Sequence, residues 1–165
     1  MKTCLLLGLA AMLLAAGCKK DDPTAGLPAA TQTGANTFGC LVDGKVFVPL
    51  PPQAINSSHR DPLEASLYRT DIIVSARGEG YVDFALRRAF QPGTYAIGET
   101  RTGSYGSYDV SAGSYYTTST YMGTVTLTRI DTVARIAAGT FQFTAVNRDG
   151  KTVTVTDGRF DVRLR

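Results

Sequence analysis

The sequence predicts an all-β fold, organised as a single antiparallel β-sandwich, with a closed or partly open β-barrel as the alternative. From Thr37 onward, apolar residues recur at every second position, which is the period of a strand with one buried face. β-Branched and aromatic residues are frequent in these runs, and Gly or Pro interrupts them at short intervals, as in sandwiches and barrels. Sustained helical periodicity is absent, so we expect at most one short helical turn, at residues 61–64.

The loop at residues 148–150 shows how the apolar pattern selects a register. A two-residue turn would place Phe143 and Val155 on opposite faces, whereas a three-residue loop pairs them. The same loop pairs Ala145 with Val153, so that all four apolar side chains share one face. We therefore predict a hairpin whose loop ends in a glycine with a left-handed conformation.

A second hairpin is predicted around the loop at residues 78–80. This loop pairs Ile72 with Leu86 and leaves Asp71 beside Arg87 on the outer face. We also predict positive φ at Gly80, the second glycine of this loop. The Asp–Arg pair is a surface contact worth less than about 1 kcal/mol and is no sign of function.

The dipeptide at residues 157–158, Asp-Gly, is typical of a two-residue hairpin turn. Such a turn would place Val155 opposite Phe160 and Val153 opposite Val162, with polar residues on the other face. We therefore predict a last hairpin centred on this dipeptide.

The N-terminus has the features of a secretory signal peptide. Lys2 supplies a positive charge, residues 5–16 supply a short apolar run, and small residues precede Cys18. Because the run is too short for a membrane-spanning helix, we expect residues 1–17 to be removed. Residues 14–18, Leu-Ala-Ala-Gly-Cys, resemble the lipobox of bacterial lipoproteins. This resemblance implies that the Cys18 thiol is diacylated and anchors the chain in a membrane.

Residues 18–36 are predicted to form a flexible tether between the lipidated cysteine and a β-sandwich domain at residues 37–165. The segment is rich in Ala, Thr, Gly, Pro and charge and contains almost no large apolar side chain, so it lacks what a packed core requires. Its charged start, Lys-Lys-Asp-Asp at residues 19–22, resembles the export signal of Bacteroidota surface lipoproteins. That resemblance implies a lipid-anchored position on the outer membrane, exposed at the cell surface, with the periplasmic face as the alternative.

The charge pattern excludes a nucleic-acid partner. The formal net charge is +3, and it becomes +2 once the signal peptide with Lys2 is removed. Basic residues alternate with Asp, Thr and Ser along the chain, whereas nucleic-acid-binding proteins cluster Lys and Arg on one face. We therefore expect a partner that does not depend on a basic surface.

No cofactor and no metal are expected. The sequence lacks the CxxC and HExxH motifs, and His59 is its single histidine. Cys40 lies in an apolar run and is left without an intrachain partner once Cys4 is removed and Cys18 is acylated. We predict that it is a small buried side chain and not a reactive thiol.

The segment at residues 101–121 has the most unusual composition in the chain, being nearly all Gly, Ser, Thr and Tyr. Tyr offers a large amphipathic contact area while Ser and Gly offer adaptable hydrogen bonds, which is the composition of binding loops. Tyr and Thr are also good strand formers, so a structural role in a half-exposed sheet is the alternative. The residues predicted to contact a glycan or protein ligand are Tyr105, Tyr108, Tyr115, Tyr116 and Tyr121.

No catalytic residue is predicted. Serines, a histidine and an aspartate occur together at residues 57–61, but a catalytic triad is recognised by geometry across separate elements, and a nucleophile-elbow motif is absent. A hydrolase that uses Asp83, Asp109 or Asp131 is an alternative, and it requires two carboxyl groups facing each other across a cleft. A barrel that carries a small apolar ligand is a further alternative.

Two motifs resemble a family of uncharacterised Bacteroidota lipoproteins. The first is Thr-Gln-Thr-Gly-Ala-Asn-Thr-Phe-Gly-Cys-Leu-Val-Asp-Gly-Lys at residues 31–45, and the second is Gly-Thr-Phe-Gln-Phe at residues 139–143 with Phe-Asp-Val at residues 160–162. The resemblance implies location and fold and transfers no catalytic residue. Together these observations predict a non-enzymatic surface lipoprotein, a binding or structural module displayed on a tether.

Overall fold

The computed structural model describes residues 22–51, 61–98 and 103–165. The predicted signal peptide, Cys18 and His59 lie outside these ranges, so the predictions about them stay predictions. Within the described ranges the all-β prediction is confirmed, because they contain eleven strands and no helix. These residues accordingly include no helical segment with the length and hydropathy needed to cross a bilayer.

The strands form one antiparallel sheet that curls into a half-barrel, which is compatible with a sandwich or a partly open barrel. In chain order they are β1 (Thr37–Val42), β2 (Lys45–Phe47), β3 (Leu63–Tyr68), β4 (Asp71–Arg77), β5 (Tyr81–Leu86), β6 (Gly93–Ile97), β7 (Tyr105–Val110), β8 (Gly113–Tyr116), β9 (Gly123–Asp131), β10 (Ile136–Val146) and β11 (Thr152–Arg163). Hydrogen-bonded neighbours follow the order β2-β1-β11-β10-β8-β7-β5-β4-β3, while β9 pairs with both β10 and β6.

Alternating apolar residues of these strands point to the inner face of the half-barrel and form its core. Phenylalanines from four different strands fill the centre of this core. The ring centroid of Phe141 lies 5.0 Å from that of Phe38 and 5.3 Å from that of Phe84. The ring of Phe160 lies 5.0 Å from that of Phe84. Contacts between sequence-distant aromatic rings therefore connect β5 with β1, β10 and β11 across the inside of the curled sheet.

The hairpin predicted at residues 148–150 is confirmed. Strands β10 and β11 pair Phe143 with Val155 and Ala145 with Val153, and all four side chains are buried. Gly150 has a φ of 78°, a left-handed conformation that a glycine adopts without steric cost.

The hairpin predicted at residues 78–80 is also confirmed in its register. Strands β4 and β5 pair Ile72 with Leu86, and the guanidinium of Arg87 donates to the carboxylate of Asp71 at 2.6 Å. The predicted positive φ at Gly80 is wrong. A side chain is excluded here for a different reason, because a Cβ on Gly80 would lie 2.5 Å from the carbonyl oxygen of Asp109.

The turn predicted at residues 157–158 is wrong, because β11 continues through this dipeptide as one strand. Asp157 has a φ of 53°, and the register with both β1 and β10 shifts by one residue at this point, which defines a β-bulge. The extra residue changes which side chains face inward. Val153 and Val155 before the bulge, and Phe160 and Val162 after it, are therefore all buried in the same core.

The described part of the predicted tether packs against the domain. The carboxylate of Asp161, which is fully buried, accepts hydrogen bonds from the backbone N–H groups of Thr33, Gly34 and Ala35 at 2.7–3.1 Å. The hydroxyl of Thr31 donates to the same carboxylate at 2.6 Å. The packed part of the chain therefore begins several residues before the boundary at Thr37 that composition predicts.

Cys40 is fully buried on the inner face, as the sequence predicts. Burial raises the pKa of its thiol to about 12, since a thiolate is poorly solvated in an apolar environment. The thiol is therefore protonated at neutral pH and behaves as a small hydrophobic side chain.

Candidate functional site

The β7–β8 hairpin carries four of the five tyrosines predicted to bind a ligand and separates them onto two faces of the sheet. Tyr108 and Tyr115 lie on the inner face and pack against the core. Their ring centroids are 6.3 Å apart, and the ring of Tyr108 lies 6.5 Å from that of Phe47 in an edge-to-face arrangement. These two tyrosines stabilise the fold, and this is the structural alternative that the composition left open.

Tyr105 and Tyr116 lie on the outer face of the sheet, since they occupy the alternate positions of their strands. The side chain of Tyr116 is 41% exposed and that of Tyr105 is partly exposed. Tyr121 lies beyond the hairpin, in a turn where its carbonyl accepts a hydrogen bond from the N–H of Thr118 at 2.7 Å. The structure thus brings Tyr105 and Tyr116 onto one surface and leaves Tyr121 outside it.

A row of polar side chains crosses the outer face beside these two tyrosines. Ser75 of β4 pairs with Asp83 of β5, and Asp83 pairs with Ser107 of β7. Ser107 in turn pairs with Tyr116 of β8. Directly paired residues have Cβ atoms about 4.5–5.5 Å apart, so the row is continuous across four strands. We call the outer side of β5, β7 and β8 the tyrosine–aspartate face; it comprises Tyr81, Asp83, Tyr105, Ser107, Asp109 and Tyr116.

Asp83 lies at the centre of this face and is the carboxylate whose environment is most unusual. Burial raises the pKa of its carboxyl, hydrogen bonds with the side chains of Ser75 and Ser107 oppose the rise, and the negative charge of Asp109 adds to it. Its Oδ1 atom is buried and accepts no hydrogen bond from the described residues. A buried acceptor without a partner is unfavourable by about 1–3 kcal/mol. On the neighbouring strand β4, the Nε and Nη2 atoms of Arg77 are also buried and donate no hydrogen bond within the described residues.

Tyr105 lies close enough to Asp83 for the two to influence each other's ionisation. Burial raises the pKa of the Tyr105 hydroxyl, and the negative charge of Asp83 raises it further. The hydroxyl is therefore protonated at physiological pH and is available as a hydrogen-bond donor. A phenol donor, an aromatic ring and a carboxylate acceptor are thus combined on one small surface.

Two of the three carboxylates considered for a hydrolase lie on this face. Asp83 and Asp109 occupy diagonal positions of neighbouring strands, because Asp83 pairs with Ser107. Asp131 lies at the end of β9. Its pKa is lowered, first by a hydrogen bond from the N–H of Ala134 and then by one from Arg129. Asp131 is therefore a turn-stabilising residue that is separate from the other two.

The described residues contain no group of three or more His, Cys, Asp and Glu side chains that would hold a metal ion. The tyrosine–aspartate face offers hydroxyl and carboxylate groups for hydrogen bonding and aromatic rings for stacking.

Composition did not reveal Ser107 or Asp161 as important residues, and Asp83 was selected only as a carboxylate of the alternative hydrolase. Each occurs singly in an alternating strand, so a sequence pattern places it on a solvated face like any other polar residue. The one sequence feature that could have indicated Asp161 is that this carboxylate stands between two apolar residues, Phe160 and Val162. Its meaning depends on a contact across 126–130 residues of chain, which local patterns do not contain.

The sequence profile of a protein family, described as "Domain of unknown function (DUF6252)", matches residues 64–162. The matched region extends from β3 into β11 and contains the whole tyrosine–aspartate face. Comparisons with curated proteins and with solved structures give no match.

Proposed function

The chain belongs to this family of unknown function, DUF6252, and we propose that it is an exported, lipid-anchored binding module without enzymatic activity. Its ligand is a glycan, recognised by the tyrosine–aspartate face. The exposed ring of Tyr116, on the same face as Tyr105 and the carboxylates of Asp83 and Asp109, is the observation that carries this proposal.

The lipid anchor is supported by the N-terminal residues. The apolar run and the Leu-Ala-Ala-Gly-Cys sequence resemble a lipoprotein signal, and the Lys-Lys-Asp-Asp sequence resembles the export signal of Bacteroidota surface lipoproteins. Two acyl chains suffice for stable attachment to a bilayer, whereas one gives only marginal binding. The module is therefore held at the outer membrane through Cys18 and is exposed at the cell surface.

A glycan fits the tyrosine–aspartate face because sugars combine hydroxyl donors with apolar ring faces. The exposed ring of Tyr116 offers a stacking surface, and the carboxylates of Asp83 and Asp109 accept hydrogen bonds from hydroxyl groups. The face lies across paired strands, so it suits an extended ligand that lies on the sheet. Recognition of this kind needs no proton transfer and no nucleophile.

The binding prediction concerns Tyr116 and Asp83. We expect a glycan array probed with the full-length protein to give specific signals, and we expect Tyr116→Ala and Asp83→Asn each to weaken binding of the best oligosaccharide by at least about tenfold. Titration calorimetry with that oligosaccharide measures the change. Substitution of Tyr108 or Tyr115 would disturb the core instead.

Tyr68→Ala is the matched control, because Tyr68 is an exposed tyrosine at the end of β3 and away from Asp83. It should bind like the wild type. Equal binding by all variants, or an array without glycan signals, would show that the tyrosine–aspartate face is not the contact surface. Release of shorter sugars from the bound oligosaccharide would instead establish an enzyme, and the Asp83–Asp109 pair would then be examined first.

The lipidation prediction concerns Cys18. Bacteria that express the full-length chain and grow with an alkyne-bearing fatty acid should incorporate the label into the wild-type protein and lose it completely in Cys18→Ser, because the thiol is the acylated atom. Gel fluorescence after coupling of a dye measures the label. Cys40→Ser serves as the control and should keep the label, and labelling that survives Cys18→Ser would place the lipid elsewhere.

A further inference from the structure

An apolar cleft of about 580 Å³ lies between the N-terminal segment at residues 25–28 and the extended segment at residues 48–51 that follows β2. This volume falls within the range of about 300–1,000 Å³ that is typical of small-molecule sites. The cleft is separate from the tyrosine–aspartate face. Its main apolar lining residues are Leu27, Pro28, Phe38, Val48, Leu50 and Leu63.

The walls of this cleft are apolar and conformationally restricted. Four prolines line it, and each fixes its own φ, so the walls are largely preformed. Val48 and Leu50 are both more than 40% exposed, although both side chains are apolar. Among the described residues that line the cleft, Asp61 carries the single charge, and this charge is paired with Arg165.

The cleft lies next to the part of the chain that leads to Cys18. The backbone of Gly26 approaches Val46 so closely that a Cβ would lie 3.1 Å from Cγ1 of that valine, so the N-terminal segment forms one wall. Ala25 lines the cleft and is seven residues from Cys18. Seven extended residues span at most about 25 Å. A group attached to Cys18 is therefore present near the cleft at high effective concentration.

We propose that this cleft binds one of the acyl chains carried by Cys18. The inference rests on the proposed lipidation, and it adds a second, intramolecular binding site to the proposed function. An unbranched hydrocarbon chain matches the apolar lining, because it requires no hydrogen-bond partner and gains from leaving water. When the cleft is occupied, the domain lies against its own lipid, and only the other acyl chain remains in the bilayer, so the attachment becomes weaker and reversible in this state.

The test uses a fatty acid with a diazirine near its methyl end, supplied to bacteria that express the full-length chain. After irradiation of the membranes, mass spectrometry locates the crosslinked peptides. We expect crosslinks from the acyl group on Cys18 to residues 25–28 and 48–51. Leu50→Asp and Val48→Asp should each reduce these crosslinks several-fold, because a charged carboxylate in the cleft would lose its hydration when an alkyl chain binds there. Phe90→Asp, which alters an exposed apolar residue outside the cleft lining, should leave them unchanged.

Cys18→Ser distinguishes the source of the chain. Its phospholipids still contain the labelled fatty acid, so cleft crosslinks that persist in this variant would identify membrane lipid as the occupant and overturn the proposal. A wild-type chain that carries the label on Cys18 but crosslinks only to phospholipid would also overturn it, while leaving the lipid anchor intact. A wild-type chain without any label would refute the anchor, and the proposed acyl occupant with it.

Discussion

Replacing Asp161 with Asn is expected to lower the free energy of unfolding by about 3 kcal/mol. The carboxylate accepts three backbone N–H donors and a threonine hydroxyl from residues 31–35. Hydrogen bonds to a charged group contribute about 1.5–3 kcal/mol each, and an amide both removes the charge and turns an NH₂ group toward these donors. Urea unfolding of the full-length protein in mild detergent measures the difference.

The matched control for this prediction is Asp71→Asn. That carboxylate pairs with an arginine instead, and the pair is solvent-accessible, with side-chain exposures of 20% for Asp71 and 43% for Arg87. Exposed pairs of this kind contribute little to stability, because solvent screens them. If the two variants lose equal stability, the contacts of Asp161 with residues 31–35 do not anchor the N-terminal segment as the structure indicates. Limited proteolysis should in addition cleave Asp161→Asn earlier within this segment.

The same carboxylate predicts a dependence of stability on pH. Burial alone would raise the pKa of Asp161, but the hydrogen bonds from Thr31, Ala35, Thr33 and Gly34 together outweigh it and hold the pKa below its usual range. A carboxyl whose pKa is lower in the folded state stabilises the fold above its unfolded pKa of about 3.9. That contribution is lost as the pH falls through the folded pKa. The stability difference between wild type and Asp161→Asn should therefore be full at pH 6 and shrink below about pH 4, and a constant difference would contradict the proposed ionisation.

Replacing Phe141 with Ala is expected to lower the free energy of unfolding by about 3–5 kcal/mol. The Phe141 ring contacts Phe38, Phe84, Phe143 and Phe160, with ring centroids 5.0–6.5 Å away. Its removal leaves a cavity between β1, β5, β10 and β11, which the surrounding rings refill only partly. Urea denaturation monitored by tyrosine fluorescence measures the loss.

Phe90→Ala is the control for the core substitution, because Phe90 is 63% exposed and contributes no ring to this cluster. Its effect should stay within about 0.5 kcal/mol. A loss of less than about 1 kcal/mol in Phe141→Ala would mean that the inner face is less tightly packed than the ring distances indicate.

The residues that the sequence located correctly are those whose environment depends on near neighbours. The pairing of Phe143 with Val155 and of Ile72 with Leu86 follows from loop length and alternation alone. The Asp157–Gly158 dipeptide shows where such reasoning fails. Asp157 does adopt the positive φ that is typical of such a turn. The chain does not reverse there, however, because β11 pairs with a strand on each side and the dipeptide forms a β-bulge within it.

The candidate site was predicted only in part, for a similar reason. Composition selected the tyrosine-rich segment, and Tyr105 and Tyr116 do lie together on the outer face. Because side chains alternate along β7 and β8, Tyr108 and Tyr115 lie on the inner face. There both pack against the core, and Tyr108 also packs against Phe47. Asp83, the residue that gives the face its unpaired acceptor, comes from another hairpin and was considered only as part of a possible enzyme.

By itself the sequence determined the all-β class and most hairpin registers, because period-two alternation and glycine turns act over a few residues. Only the tertiary structure decided that Asp161 holds residues 31–35, that β11 is a central bulged strand, and that Asp83 lies beside Tyr105 and Tyr116. These features need groups from distant parts of the chain to meet after the sheet has curled. A buried carboxylate acquires its properties from those partners, and no local pattern encodes them.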